Sequence, residues 1–301
     1  MLTMPDSVIE VKSLTKKYGN IIAIDRISFT VYRGEIFSLI GPNGSGKTTT
    51  VEILACIRTP TSGTAKVLGF DVLKEDREIK KRIGVLPQEF DAFDRLTVEE
   101  NIRLIEKIYG VKADIRGLLE EFELWELRNR KYGELSGGQK RKVGICMALV
   151  NDPEIVYLDE PTTGLDPKAR EDCWNALERL KKLGKTIFLT SHYMEEVERL
   201  CDRAAIIVRG KIIDIGEIRE LVSKYGGGIK LIVKGSVELS ADKIYRSENK
   251  TIGIFKSREK ALETIAELFK KGYEFEIKEP SLEDVFLYLV GGRISEDGEL
   301  T

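Results

Sequence analysis

Histidine is nearly absent from this chain: His192 is the one imidazole in 301 residues. Glutamine is almost as scarce, with Gln88 and Gln139 alone, while charged residues make up 33%. Abundant Lys and Glu with few amides fit a hot environment or a skewed genome, and the contrast makes each rare residue worth placing. Four cysteines, Cys56, Cys146, Cys173 and Cys201, lie far apart. Their spacing excludes a paired zinc site and a disulfide scaffold and leaves small buried thiols. Long apolar runs are missing: "IFSLIG" and "AAIIV" fall well short of the ~20 residues that span a bilayer. The first residues, "MLTMPDSVIEVK", have no basic start before an apolar run, so no secretory signal is expected. Neither sign of charge dominates, since 48 Lys+Arg against 50 Asp+Glu leave a net charge of -2. There is no global pull toward nucleic acid or anionic lipid; no nucleic-acid partner is expected, and a cytoplasmic location is.

The length favours one large domain with a smaller companion. Residues 8–36 hold β-branched runs, "VIEV", "IIAI" and "ISFTVY", that read as short antiparallel strands. A strand "IFSLI", a glycine loop "GPNGSG" and a helix "KTTTVEILACI" follow. "TVEENIRLIEKIYG" opens with a capping box, Thr97 and Glu100, and sets Ile102, Ile105 and Tyr109 on one helical face. Helix dominates to about residue 150. "EIVYLD" and "TIFLTS" read as strands buried on both faces. Between them "DPKAREDCWNALERLKKLG" is a helix with Asp166 as N-cap, Pro167 at its first position and Gly184 as its stop. "AAIIVRGKIIDIG" reads as a hairpin turning at Arg209-Gly210. Alternating strands and helices predict a parallel sheet covered by helices. After about Glu217 the pattern changes. "GGG" at 226–228 is a plausible joint, followed by "IKLIV", "TIGIF", a helix aligning Ala261, Leu262, Ile265, Leu268 and Phe269, then "YEFEIK" and "SLEDVFLYLV": a small α+β module.

Three stretches carry chemistry. "GPNGSGKT", Gly41 to Thr48, fits G-x-x-x-x-G-K-[ST] between a strand and a helix. Its backbone N–H groups can face a phosphate chain, Lys47 can reach β and γ oxygens, and Thr48 can ligate Mg²⁺. "IVYLDE" ends a buried strand in two carboxylates: Asp159 to hold Mg²⁺ through water, Glu160 to take a proton from an attacking water. "LSGGQKRKVGICMAL" starts a helix in which Ser136 and Gln139 match a capping box. Capping leaves Gly137 and Gly138 unexplained, because two glycines in a first turn cost about 1 kcal/mol each against alanine. They suit a helix end whose amides approach a second phosphate.

With these on the page, "LSGGQ" after "GPNGSGKT" and before "LDEPTTGLD" resembles the signature set of ATP-binding cassette (ABC) ATPases, from about residue 8 to 220. The resemblance implies an α/β fold: a P-loop NTPase core with an antiparallel β subdomain and a helical subdomain, plus a small C-terminal α+β domain. The expected cassette domain spans 1–220, with the helical part at about 89–150, and the accessory domain spans 221–301. Carried over by residue, Tyr18 stacks on adenine, and Gly41, Pro42, Asn43, Gly44, Ser45, Gly46, Lys47, Thr48 and Thr49 form the phosphate-binding (Walker A) loop. Gln88 joins the Mg²⁺ shell, and Ser136, Gly137, Gly138 and Gln139 grip the γ-phosphate held by another subunit. Glu160 is the general base, Asp166 belongs to the inter-subunit loop, and His192 is the switch histidine. Tyr18 also reads as a turn aromatic packed on the sheet, and Asp166 as a plain N-cap.

"IGVLPQEFDAFDRLTVEENIRLIEKIYG" and "PSLEDVFLYLVGG" resemble ATPase subunits of ABC-2 type exporters. That implies ATP and Mg²⁺, a homodimer or a heterodimer with a second cassette, and a separate membrane-spanning permease docking near Gln88 to Glu100, with Phe90 and Phe93 as apolar contacts. Such a subunit sits in the cytoplasm against the inner face of the membrane. The main rival is an importer ATPase. A soluble cassette acting on DNA or ribosomes would call for a coiled-coil insertion, a zinc cysteine set or a second cassette. A regulator without turnover conflicts with Glu160 and His192, and a GTPase with "NKTI" at 249, which lacks the Asp that reads guanine.

Overall fold

The computed structural model describes residues 6–225, 228–247 and 249–291. They form two compact units that divide between Ile215 and Gly216. Gly226 and Gly227, read as part of a joint, lie outside the described residues.

The first unit opens with β1 (Ser7–Tyr18), β2 (Ile21–Tyr32), β3 (Ile36–Ile40), α1 (Lys47–Leu54), β4 (Ser62–Val67), β5 (Phe70–Asp71), α2 (Asp76–Lys80) and β6 (Ile83–Leu86). Strands β2, β1, β4 and β5 form an antiparallel sheet in that order. The short runs expected over 8–36 are two long strands instead. Bulges near Ser13 and Arg26, both left-handed at φ 49° and 53°, bend them without ending them.

A helical stretch follows: α3 (Val98–Tyr109), α4 (Ile115–Glu121) and α5 (Gly137–Leu149). Helix α3 has the expected capping box, Thr97 with Glu100. Ile102 is fully buried and Ile105 partly so, but Tyr109, at the last turn, is exposed. The chain returns through β7 (Ile155–Asp159), α6 (Pro167–Lys182), β8 (Thr186–Ser191), α7 (Met194–Leu200), β9 (Arg203–Val208) and β10 (Lys211–Glu217). The turn between the last two has positive φ at both Arg209 and Gly210, as a two-residue hairpin requires.

Strands β10, β9, β3, β8, β7 and β6 form the central sheet in that order, with β9, β3, β8, β7 and β6 parallel. Both faces are buried, and the side chains divide by the two-residue period. Val156 and Leu158 of β7 and Ile187 and Leu189 of β8 enter the core shared with α3 to α6. Ile155, Tyr157 and Phe188 point to the opposite core, with Phe29 of β2 and Phe37 of β3 stacked at 5.6 Å. At about 2 kcal/mol per buried large apolar side chain, these two cores hold the strand ends in place.

The second unit comprises α8 (Ile218–Tyr225), β11 (Ile229–Lys234), β12 (Lys243–Ser247), β13 (Lys250–Phe255), α9 (Arg258–Lys270), β14 (Phe275–Lys278) and α10 (Leu282–Val290). Its antiparallel sheet runs β12, β13, β11, β14. Strand β12, "KIYRS", carries no alternating apolar signal and is absent from the sequence reading. On α9, Ala261 and Leu268 are buried, but Leu262 and Phe269 are 54% and 79% exposed. Each follows a core position by one residue, which turns it roughly 100° away from the sheet. A buried ion pair, Lys230 Nζ to Asp284 at 2.6 Å, ties β11 to α10. Among the described residues no helix is long and apolar enough to cross a membrane.

Candidate active site

Parallel strands place their carboxyl ends on one edge, and register decides what meets there. Ile40 pairs with Ser191, and Asp159 with Thr190. The loop after β3, Glu160 after β7 and His192 after β8 therefore converge. Leu86 pairs with Leu158, which brings Pro87 and Gln88 to the same edge.

The loop from Gly41 turns into α1 at Gly46, whose φ of 104° and 2.6 Å clearance from a would-be Cβ to the Ala23 carbonyl admit glycine alone. Lys47, the first helical residue, is buried and folds back across the loop. Its Nζ donates to the carbonyls of Gly41 at 2.8 Å and Pro42 at 3.2 Å, and lies 3.3 Å from Glu160 Oε1. Asn43, Gly44, Ser45, Gly46, Lys47, Thr48 and Thr49, with Ala23, Gln88 and Glu160, line a cavity of about 380 Å³.

Glu160 gathers the site's polar groups. Its Oε2 lies 3.2 Å from His192 Nδ1, and accepts from Gln88 Nε2 at 3.3 Å and Thr163 Oγ1 at 3.1 Å. Burial alone would raise the carboxyl's pKa, but His192 and Lys47 outweigh it and hold it at about 2, below the ordinary 4.5. Lys47 is pushed down by burial, an effect that Glu160 partly offsets. Asp159 shifts the other way: burial raises it although the hydroxyls of Thr190 and Thr48 bond to it. Two neighbouring carboxyls thus have opposite proton affinities. Glu160 is also left-handed, φ 49°, which is uncommon without glycine. Its N–H donates to Thr190 Oγ1 at 3.0 Å and to the Thr190 carbonyl at 3.2 Å.

Ser136 and Gln139 lie elsewhere. They form the expected capping box at the start of α5, Gln139 N–H donating to Ser136 Oγ at 3.3 Å and Ser136 N–H to Gln139 Oε1 at 3.1 Å. The two glycines have different reasons. A Cβ on Gly138 would sit 2.6 Å from Ala169 Cβ on α6, whereas nothing lies within 4 Å of one on Gly137. Ser136, Gly138, Gln139 and Asp166 border a second cavity, of about 280 Å³, that shares no lining residue with the first. Asp166 caps α6, accepting from the N–H groups of Lys168 at 3.1 Å and Ala169 at 3.0 Å. Tyr18, at the end of β1, is 39% exposed, its ring beside Arg58 at 5.7 Å and Lys16 at 5.0 Å. It does not line the loop cavity.

Residues 24–163 match the family model described as ABC transporter. Over 306 aligned residues the chain is 38% identical to Nod factor export ATP-binding protein I of Burkholderia lata, an alignment covering 97% of this chain and 100% of that protein. The chain belongs to the ABC transporter family. It is an ABC-type ATPase that binds ATP. It is also 38% identical over 255 residues to human ATP-binding cassette sub-family A member 2, covering 81% of this chain and 10% of that protein. Among solved structures it is similar to a dimeric bacterial ABC transporter cassette, 30% identical with a TM-score of 0.63, covering 69% of this chain and 98% of the other. A post-hydrolysis dimer of a cassette bound to ADP and Pi is similar at 29% identity, TM-score 0.63, with the same coverage.

Three residues of this ABC ATPase escape the sequence reading. Thr190 holds both Asp159 and the backbone of Glu160. Glu196 is fully buried on α7 and accepts from Thr162 Oγ1 at 2.7 Å and Trp174 Nε1 at 3.1 Å. Arg141 on α5 bonds to five backbone carbonyls. Thr190 could have been found as the polar end of a buried strand; nothing in the spacing of the other two marks them. Of the two expected apolar contacts, Phe90 is half-buried, packed against the core and Tyr132 at 6.4 Å, while Phe93 is 62% exposed.

Proposed function

We propose that this chain is the ATP-hydrolysing subunit of an ABC exporter, working as a head-to-tail dimer bound to a separate membrane-spanning permease at the inner face of the membrane. The observation that carries the catalytic part is the position of Glu160, buried and ionised between Lys47, Gln88 and His192. In this reading Lys47 leaves Glu160 for the β- and γ-phosphates when ATP enters the loop. That removes a cation from the carboxylate and raises its basicity toward a water proton. The resulting hydroxide attacks the γ-phosphorus, the bond to the ADP oxygen breaks, and ADP leaves with phosphate. His192 donates a hydrogen bond to the γ-phosphate, and Tyr18 stacks on the adenine.

Mg²⁺ fits the oxygen donors at this edge: the Thr48 hydroxyl and the Gln88 amide, with buried Asp159 behind them facing Thr48. When bound it would supply positive charge that neutralises the phosphate chain. Ser136, Gly137, Gly138, Gln139 and Asp166 meet the nucleotide of the second subunit, which the separation of the two cavities on one chain favours. Export is favoured by the Nod factor export relatives, whose alignments include one over 97% of this chain and the whole of the relative. The permease docks beside Gln88, where Phe93 offers an exposed apolar contact.

The test is Glu160→Gln. The variant is expected to bind ATP, to lose turnover by about a hundredfold or more, and to accumulate an ATP-bound dimer on size-exclusion chromatography. Near-native hydrolysis would remove Glu160 from its role.

A further inference from the structure

Arginine 141 stands in the second turn of α5, in the run "QKRK", where a basic side chain would ordinarily be solvated. Instead its guanidinium turns inward and all five of its N–H bonds are used, each on a main-chain carbonyl. Nε donates to Pro161 at 2.8 Å. One terminal nitrogen donates to Pro87 at 3.1 Å and Gln88 at 3.2 Å. The other donates to Asp159 at 2.7 Å and Glu160 at 2.9 Å. A guanidinium carries five N–H donors in a rigid plane and a lysine ammonium only three.

What this plane holds matters more than the count. Glu160 is left-handed, a conformation that costs about 1–2 kcal/mol for a residue with a Cβ. Its N–H is fixed by Thr190 and its carbonyl by Arg141. The carbonyl of Gln88, whose amide reaches Glu160, is fixed by the same group. A second contact one turn on grips this segment. A Cβ on Gly144 would lie 2.7 Å from Leu86 Cδ1 and 2.8 Å from the Phe90 ring, so the flanks of Gln88 pack directly against the α5 backbone.

We propose that Arg141 is a positioning residue that locks Gln88 and Glu160 to α5, so that a shift of residues 136–139 against one nucleotide moves the base of the other site. The proposal rests on the reading of Glu160 as general base. Arg141 need not touch ATP; it sets where the carboxylate and the amide stand.

The experiment compares Arg141→Lys, Arg141→Gln and the neighbouring control Lys140→Gln in the full chain, with and without Glu160→Gln. Arg141→Gln is expected to lower kcat for Mg·ATP by about tenfold to a hundredfold, with KM within about twofold. Arg141→Lys recovers part of the rate, and Lys140→Gln keeps all of it. In the Glu160→Gln background, followed over hours, Arg141→Gln should cost far less than in the native chain, because the base it positions is gone and only Gln88 is left to misplace. An unchanged kcat, a rise in KM equal to the fall in kcat, or the same loss in the Glu160→Gln background would each overturn the proposal. So would failure of both Arg141 variants to fold, judged by circular dichroism and melting, since that marks a structural residue only. If Glu160→Gln alone hydrolyses normally, it is the base reading that fails, whatever Arg141 does.

Discussion

His192 Nδ1 stands 3.2 Å from Glu160 Oε2, each residue lying just past the end of one of two neighbouring parallel strands. Both side chains are almost fully buried. In a chain with one histidine, the register of β7 and β8 delivers it to the carboxylate proposed as the general base.

That pairing predicts a split effect. His192→Ala removes a hydrogen-bond partner of Glu160 and the proposed donor to the γ-phosphate, but no part of the loop that holds the nucleotide. The expected outcome is a fall in kcat of about a hundredfold with ATP affinity changed by no more than about twofold. Steady-state kinetics with calorimetric ATP titration measures both. An unchanged kcat would leave His192 a packing partner of Tyr193, whose ring centroid is 4.2 Å away.

Gly137 and Gly138 should separate by readout. Gly138→Ala forces a methyl to within 2.6 Å of Ala169, an overpacked contact worth about 1–3 kcal/mol, so its melting temperature falls. Gly137→Ala meets open space in its own chain and gains up to about 1 kcal/mol of helix propensity. The same methyl would block close approach by the second subunit's nucleotide, so ATP-driven dimerisation and hydrolysis should be lost in a well-folded protein. A Gly137→Ala enzyme that dimerises and turns over normally would show that nothing approaches this helix end closely.

The sequence makes much of this site legible for a physical reason: phosphate loops, acidic strand ends and capped helix starts depend on local spacing. "GPNGSGKT", "IVYLDE" and "LSGGQ" each need a particular order of neighbours, and the parallel sheet follows from buried strands alternating with helices. Arg141 and Glu196 depend on where distant segments meet. Arg141 reaches carbonyls 18 to 54 positions away, and nothing in "QKRK" tells a solvated cation from a clamp. Likewise Phe269 has helical spacing with the core of α9, yet one residue of phase leaves it 79% exposed.

Glu196 gives the pH test. It is fully buried, and burial raises its pKa above the ordinary 4.5 despite bonds from Ser191, Thr162 and Trp174. Above that ordinary value the folded chain keeps a proton that the unfolded chain has released. The unfolded state then binds fewer protons, so stability falls as pH rises between the unfolded and the folded pKa. Glu196→Gln keeps the Oε1 acceptor for Thr162 and Trp174 with no proton to hold. Its melting temperature should exceed the native value at pH 7, with the advantage vanishing near pH 4. Glu196→Ala, which strands the Thr162 hydroxyl and the Trp174 N–H in the core, should instead lose about 2–3 kcal/mol at both pH values. Thermal unfolding from pH 4 to 8 tests this. A Glu196→Gln advantage independent of pH would mean that Glu196 is ionised in the fold. In that case the tie between α7, which follows His192, and the 161–166 stretch, which follows Glu160, would be a buried charge rather than a neutral hydrogen bond.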